Sequence, residues 1–561
     1  MWPVTAIRSI KRINIKCVTM NNGWLSGALG INKNNGVFMR KIVLIFLLLT
    51  TVPINIIMAS VFCHSDDEYK RLTNIPSLFI ETFDNDEITS KTDYKLCRIV
   101  IVDDYVQKYD SVKIRGRGNT SWSFEKRSFR LKFPRKVKLL GNKYANAKNW
   151  NLISNGGEKL LIRNALANFV SELCNMPFTP GTKFVDLYLN DQYWGNYQIT
   201  DFIEIKKKRV DIAEQDTIVT DLNKDITGGY LLEVDGNNDP GKNYFQTSTF
   251  NTRIRIHSPE LDIINERQQA YIKEYIEEFE KLLNSGDRYN TESGYYNYVD
   301  SASLMGWYLT NEICANTDLF WQIYFYKKRQ DEKLYFGPVW DFDLAFNDDT
   351  RRGDNGDVTC YLMQDVEFES HYFYKWFNVI KEDERWINAQ YEVYKKLYID
   401  RNLDSLMISY VDSLIDYIRP SIEENYKRWP IWKQTHLEYK LYYSYDEYLA
   451  DLKTFIKMRN AYLYSEFARK AGIDVTNDIR DLLYTSQSFD VYYNNDNKYI
   501  GLTSKTPTDR NINAAIYNTQ GFIVGYFNSK NGFNASNLPK GLYILRCSIG
   551  ENTKVSKIFV K

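Results

Sequence analysis

Alternation of apolar and polar positions dominates the chain from about residue 66 to 252. "YDSVKIRGRGNTSW" and "KRSFRLKF" read as half-buried strands, and "FVDLYLNDQYWGNYQI" as a hairpin whose turn holds Asn190 and Asp191. "GGYLLEVDG" is a further short strand, bracketed by glycines. The period then changes. In "HSPELDIINERQQAYIKEYIEEFEKLLNSG", Ile272, Tyr275, Ile276, Phe279, Leu282 and Leu283 recur at helical spacing. Ser258 is the expected N-cap there, Pro259 the first helical residue, and Gly286 lies just past the end. "YVDSASLMGWYLTNEIC" predicts a second helix, "QIYFYKKRQDEKLYFGPVW" a strand pair, and residues 371–471 a helix-rich stretch. From about Asp474, "FDVYYNNDNKYIGLTS", "NAAIYNTQGFIVGYF" and "GLYILRCSIGENTKVSKIFVK" are short strands with Asn/Gly turns, the pattern of a small β-sandwich. The class expected is α+β: β-rich to about 252, helix-rich to 473, and all-β over 474–561.

At 561 residues the chain exceeds one ordinary core. Its 72 basic and 71 acidic residues nearly cancel, which argues against a nucleic-acid-binding face. "MRKIVLIFLLLTTVPINIIMASVFCHS" joins a basic start to an apolar run from Ile42 to Phe62, the form of a secretory signal. Pro53 and Asn55 interrupt that run and no second apolar segment follows, so cleavage rather than a permanent transmembrane anchor is expected. Residues 1–38 look unlike any signal n-region, which points to Met39 as the true start within a leader spanning 1–65. Cys97, Cys174, Cys314, Cys360 and Cys547 are scattered without metal-site spacing and read mostly as free buried thiols.

Two stretches carry candidate chemistry. In "RGRGNTSWSFEKRSFRLKF", Gly116 and Gly118 free the backbone, while Arg115, Arg117, Lys126, Arg127, Arg130 and Lys132 make the segment cationic. It is either a basic surface hairpin or a turn and strand that hold polyphosphate, with Ser128, Arg130 and Lys132 on one face. Asp318 ends a helix, and Asp341 and Asp343 follow the strand pair in "FGPVWDFDLAF", with Asp341 23 positions after Asp318. In protein kinases a catalytic aspartate likewise precedes a strand pair that ends in a magnesium-binding aspartate. The competing reading is that these are turn and cap aspartates.

The chain resembles the CotH (spore coat protein H) kinase-like family. The blocks that carry the resemblance are "RGRGNTSW…KRSFRLKF", "NWNLISNGGEKLLIRNALA", "VDLYLNDQYWGNYQITDFIE…KRVDI", "GGYLLEVDG", "NEICANTD" and "FGPVWDFDLAF", in the family's order from about Phe79 to Tyr464. The resemblance implies an atypical two-lobed kinase domain over 66–473 that moves phosphate from ATP, with Mg2+ or Mn2+, to protein Ser or Thr. Carried over by position, Asp318 is the catalytic aspartate and Asp341 the metal ligand, with Asp343 either a second ligand or a cap. Lys126 or Lys132, with Arg130, faces the nucleotide phosphates, and Arg163 matches the arginine of the family's "RN" helix. Asp201 or Glu204 pairs with the lysine, and Glu233 and Asp235 match an acidic strand of unassigned role. Where many relatives supply asparagine as a second metal ligand, this chain has "LFWQIY", and Gln322 is the nearest amide. That departure keeps open a catalytically weak scaffold that acts as a surface binding or adhesion protein. A glycan-processing pair of carboxylates is the weaker third option.

The C-terminal segment "IYNTQGFIVG…FNASNLPKGLYILRCSIGENTKVSKIFVK" is similar to sorting domains read by type IX secretion. With the N-terminal signal, it implies passage through the periplasm to the cell surface or beyond. The partners so implied are the secretion machinery and a protein substrate or surface partner.

Overall fold

The computed structural model describes residues 69–561 except 216–224, 236–240, 320, 350–357, 360–361, 363–373, 434, 436, 439–440, 476–488, 505–512, 519–522 and 550–551. The expected signal run, Met39, Cys63, Cys360 and the junction after Val475 lie outside the described residues.

The β-rich portion closes on itself. Strands β1 (Ser77–Thr82), β2 (Lys95–Val102), β3 (Val106–Arg117), β4 (Ser128–Val137), β5 (Ala147–Ile153), β6 (Thr182–Leu189) and β7 (Gln192–Asp201) form a seven-stranded barrel in the order β1-β2-β3-β4-β5-β7-β6. Parallel pairing of β1 with β6 makes the closure, and closure removes exposed strand edges. Alternation supplies the interior. On β4, Phe129, Leu131 and Phe133 are buried with Ile80, Ile99, Ile114, Trp150 and Tyr197, while Lys132 faces out. The expected β6–β7 turn is present, with Asn190 at φ 49° and Asp191 at φ 62°, the left-handed conformations that a tight two-residue hairpin demands.

Helix α1 (Arg163–Leu173) leaves the barrel and packs among the helices instead. A second sheet joins β8 (Tyr230–Asp235), β9 (Tyr244–Gln246), β10 (Arg253–Ser258), β11 (Gln322–Lys327) and β12 (Leu334–Phe336) in the order β12-β11-β8-β10-β9. It draws strands from both sides of residue 252, so the expected division there falls inside one sheet. One face, with Leu232, Val234, Ile254, Ile256, Ile323 and Phe325, packs on α2 (Glu266–Leu283) and α3 (Ser301–Cys314). The opposite face carries Glu233, Asp235, Arg255, His257 and Tyr324, as the two-residue period requires.

Helix α2 buries Ile272, Ile276, Phe279 and Leu283 as the spacing predicts, but begins later than expected. Ser258 is the last residue of β10, paired with Leu231, and is not a cap. The start belongs to Asn265, whose side chain accepts from the Gln268 backbone while the Gln268 side chain accepts from the Asn265 N–H. This reciprocal box satisfies two otherwise open donors. The helix closes at Asn284, two residues before Gly286. Helices α4 (Tyr374–Ile380), α5 (Glu384–Lys395), α6 (Leu403–Arg428) and α7 (Tyr445–Lys470) complete the expected helix-rich stretch.

The C-terminal region is all-β, as expected. β13 (Phe489–Asn494), β14 (Tyr499–Ser504) and β17 (Phe533–Asn534) form one sheet. β15 (Asn513–Tyr517), β16 (Ile523–Asn528), β18 (Gly541–Ile549) and β19 (Asn552–Val560) form the other. Ile500, Ile516 and Leu545 meet in their shared core. Cys97, Cys174 and Cys314 are buried free thiols, and Cys547 is buried as well. No helix among the described residues is long and apolar enough to cross a membrane.

Helix α3 presents Asp318 just past its C-terminal end and is locked to α7 by a buried pair, with Arg459 Nη2 2.6 Å from Glu312 Oε1. The same guanidinium donates to the Glu312 carbonyl. Stripping one partner from a buried pair typically costs about 3–5 kcal/mol. Arg459→Ala is therefore expected to lower unfolding free energy by that order in a urea titration, and a loss below about 1 kcal/mol would contradict the pair's structural role.

Candidate functional site

The uncovered face of the five-stranded sheet forms one wall of a cleft. The other wall is the end of β3 with the glycine turn that follows it. Gly118 adopts φ 92°, a conformation open to glycine, and carries the chain into Asn119, Thr120 and Ser121 at the cleft rim. At Gly116 a Cβ would fall 2.1 Å from the Trp122 ring, so only glycine lets the indole lie on the strand. The cavity at the acidic end measures about 400 Å³ and is lined by Asp318, Asp341, Asp343, Glu233, Asp235 and Arg117, among others. A larger cavity of about 780 Å³ adjoins it, and Arg117, Arg255, Tyr324 and Trp340 line both.

The acidic loop is pinned at both ends. The Phe342 N–H donates to Asn164 Oδ1 of α1 at 2.9 Å, and the Phe346 N–H donates to the Cys314 carbonyl at the end of α3 at 2.7 Å. Phe342, Leu344 and Phe346 are buried beneath it. Asp341 itself sits at φ 68°, a left-handed conformation that non-glycine residues rarely hold without such restraint. Helix α3 ends in a left-handed cap at Ala315, and the Asn316 side chain accepts from the Asp318 N–H at 3.2 Å. The two tethers thus fix Asp341 and Asp343 relative to Asp318.

These carboxylates are poorly compensated. Burial, then repulsion from Asp318, pushes the Asp341 pKa up to about 6, against the pull of Arg117. Burial, with Asp341, Asp318 and Glu158 nearby, pushes Asp343 well above the ordinary carboxylate range. Among the described residues neither forms an ion pair. Arg117 is the cation that faces them, and it stacks 4.7 Å from the Trp340 ring centroid. The β8 carboxylates are different. Glu233 lies 2.5 Å from His257 Nε2 and 3.7 Å from Arg255, and Asp235 lies 3.5 Å from Arg255 and accepts from Tyr244 at 2.9 Å.

Asp318, Asp341, Asp343 and Gln322 are brought together at the acidic end of the cleft. Gln322 Oε1 accepts the Trp340 indole N–H at 3.0 Å, so its oxygen is already engaged. Arg130 lines the larger cavity, its guanidinium 3.3 Å from the Phe202 ring centroid, and burial lowers its pKa to about 9. The remaining candidates sit elsewhere. Lys132 is exposed and lines neither cavity of the cleft. Lys126 lines a separate cavity, with its amine buried over the Tyr197 ring. Arg163 is held in a buried network, 3.0 Å from Glu158 and 2.8 Å from Asp348. Asp201 and Glu204 pair with Arg209 at 2.7 and 2.5 Å rather than with a lysine, although Glu204 still lines the larger cavity.

Sequence reasoning did not single out Arg117, Arg255, His257 or Asn164 for the site. Arg117 was visible in "RGRG", between two glycines. Arg255 and His257 could have been found by pairing the alternation of "RIRIHS" against "YLLEVD", which sets Arg255 opposite Glu233. Asn164 leaves no local signal, because its partner lies 178 positions away.

Among the described residues no three His, Cys, Asp or Glu side chains converge closely enough to hold a metal by themselves. Magnesium does not need that, since it is usually held by one or two carboxylates with waters and substrate phosphates completing the shell. The hard oxygen donors and uncompensated charge of Asp341 and Asp343 fit such an ion.

The family model described as CotH kinase protein matches residues 114–463. A second, described as secretion system C-terminal sorting domain, matches residues 490–561. No curated protein matches the chain.

Proposed function

The chain belongs to the CotH kinase protein family, and from that premise we propose that it is an exported protein kinase that transfers the terminal phosphoryl group of ATP to Ser or Thr hydroxyls of secreted or surface proteins. The observation that carries the reading is one cleft with arginines along one stretch and an uncompensated aspartate pair at its end. In this reading the barrel and the five-stranded sheet stand as the two lobes on either side of the nucleotide.

The larger cavity, about 780 Å³, is ample for a nucleoside, with Phe202, Ile203, Tyr324 and Trp340 as its flat or apolar walls. Arg130 and Arg117 lie along the path from there to the acidic end and would meet the phosphates. Asp341 and Asp343 would hold a divalent cation, which supplies charge neutralisation of the phosphoryl oxygens when bound. Asp318 would accept the proton of the acceptor hydroxyl as its oxygen bonds to the γ-phosphorus and the bond to the bridging oxygen of ADP breaks. Asn164 acts through the backbone by holding Phe342, and Gln322 by aiming Trp340. The sorting domain supports export to the cell surface or beyond.

A second reading, a binding scaffold with little catalysis, is favoured by the engagement of Gln322 with Trp340 where relatives carry an asparagine ligand. One assay separates the two. Mature protein incubated with labelled ATP and Mg2+ or Mn2+ is expected to label itself or exported proteins, and Asp318→Ala or Asp341→Ala to cut the rate about 100-fold or more. A wild type that transfers no label with either metal contradicts the kinase reading. Export is tested apart from catalysis. Removal of residues 474–561 is expected to leave the protein in the periplasm, and unchanged export would refute the sorting role.

A further inference from the structure

Lys126, which the family resemblance set towards the nucleotide phosphates, lines neither cavity of the cleft. It is 5% exposed, its Nζ has no hydrogen-bond partner among the described residues, and it lies 5.2 Å over the Tyr197 ring. Among the described residues the carboxylate that acts on it electrostatically is Glu158, and that group is engaged by others. It accepts from Arg163 Nη1 at 3.0 Å, the Arg163 N–H at 3.2 Å and the Leu160 N–H at 2.7 Å. An amine buried without a partner is costly, and such a group either gives up its charge or takes a partner from outside the chain.

The space in front of Lys126 is a cavity of about 330 Å³ that shares one lining residue, Phe124, with the acidic end of the cleft. Phe124, Leu161, Tyr426 and Trp429 give it flat and apolar walls. Two further lysines on its wall are already matched, Lys159 with Glu438 at 3.6 Å and Lys433 with Glu125 at 2.8 Å. Arg428, also on the wall, is exposed and stacks 5.0 Å from the Trp429 ring centroid, so among the described residues the buried unmet charge at the pocket is that of Lys126. Burial lowers its pKa to about 7, and an anion beside it would restore the ammonium form.

We propose that this pocket is a second ligand site, separate from the nucleotide cleft, for a small organic oxyanion whose carboxylate or phosphate head meets the Lys126 amine and whose flat body lies against Trp429 and Tyr426. The chemistry is an oxyanion on an apolar frame. It rests on Lys126 and the pocket walls, and holds whether or not the cleft transfers phosphate.

The test uses the mature protein and four probes: benzoate, phenyl phosphate, neutral benzamide and inorganic phosphate, followed by calorimetry and tryptophan fluorescence. At least one aryl oxyanion is expected to bind, with benzamide and inorganic phosphate each weaker by about tenfold or more. Preference between benzoate and phenyl phosphate identifies the head group. Lys126→Met, which keeps the stem and removes the charge, is expected to weaken binding by a similar factor, while saturating Mg·ATP leaves it unchanged. Should Lys126→Met fail to fold, protection of the wild-type Lys126 amine from trinitrobenzenesulfonate by the bound probe takes its place. The proposal is overturned if neither aryl oxyanion binds at millimolar concentration, if benzamide or inorganic phosphate binds equally well, or if the variant retains binding. Failure of the probe to protect the amine also overturns it. Displacement by ATP overturns it as well, and assigns Lys126 to the nucleotide.

Discussion

Two carboxylates in one half-buried loop repel each other, and a chain keeps them adjacent only if its backbone is held from outside the loop. Here the restraint is a pair of hydrogen bonds, from the Phe342 N–H to Asn164 and from the Phe346 N–H to the Cys314 carbonyl. The first ties the loop to α1 and the second to the end of α3, the element that leads into Asp318. Buried aromatic residues in the loop fill the space beneath. The geometry of the acidic end of the cleft rests on these two bonds. Without them Asp341 would have little reason to keep its left-handed backbone.

The surrounding charges fall into two classes. Some are structural and satisfied within the fold: Arg163 between Glu158 and Asp348, Arg209 between Asp201 and Glu204, Arg459 on Glu312. Burial raises the Asp348 pKa to about 7 even beside Arg163, so that network holds its position at the cost of desolvation. The others, Asp341, Asp343, Arg117 and Arg130, face the cleft without ion pairs among the described residues. That contrast separates the framework from the site more sharply than burial does. On the sheet face Glu233 and Asp235 are engaged by Arg255, His257 and Tyr244 within the sheet itself.

How much of this was legible in the sequence depends on the range of each interaction. The strands, the β6–β7 turn, the apolar stripe of α2 and the trio Asp318, Asp341 and Asp343 all follow from local pattern and spacing. Barrel closure does not, because it rests on β1 pairing with β6 more than 100 positions away, and no local period records that. The start of α2 was misplaced because Ser258–Pro259 imitates a helix start, while pairing with β8 claims Ser258 and the Asn265–Gln268 box forms further on. Lys132, Arg163, Asp201 and Glu204 were carried towards the nucleotide by position in the family resemblance, which records neither strand facing nor distant ion pairs, and Glu204 still lines the larger cavity. Strand facing turns Lys132 outward, and ion pairs claim the other three. Arg117, the cation nearest the acidic pair, was in view in "RGRG" but lay among several other arginines and lysines.

In the cleft a divalent cation and phosphates together would supply the charge that Asp341, Asp343, Arg117 and Arg130 lack. Calorimetric titration of ATP into the mature protein, once with Mg2+ and once with a chelator, tests this directly. Saturable binding that weakens by about tenfold or more on removal of the metal is the expected result. Absence of binding under both conditions, or identical affinity in both, would contradict it.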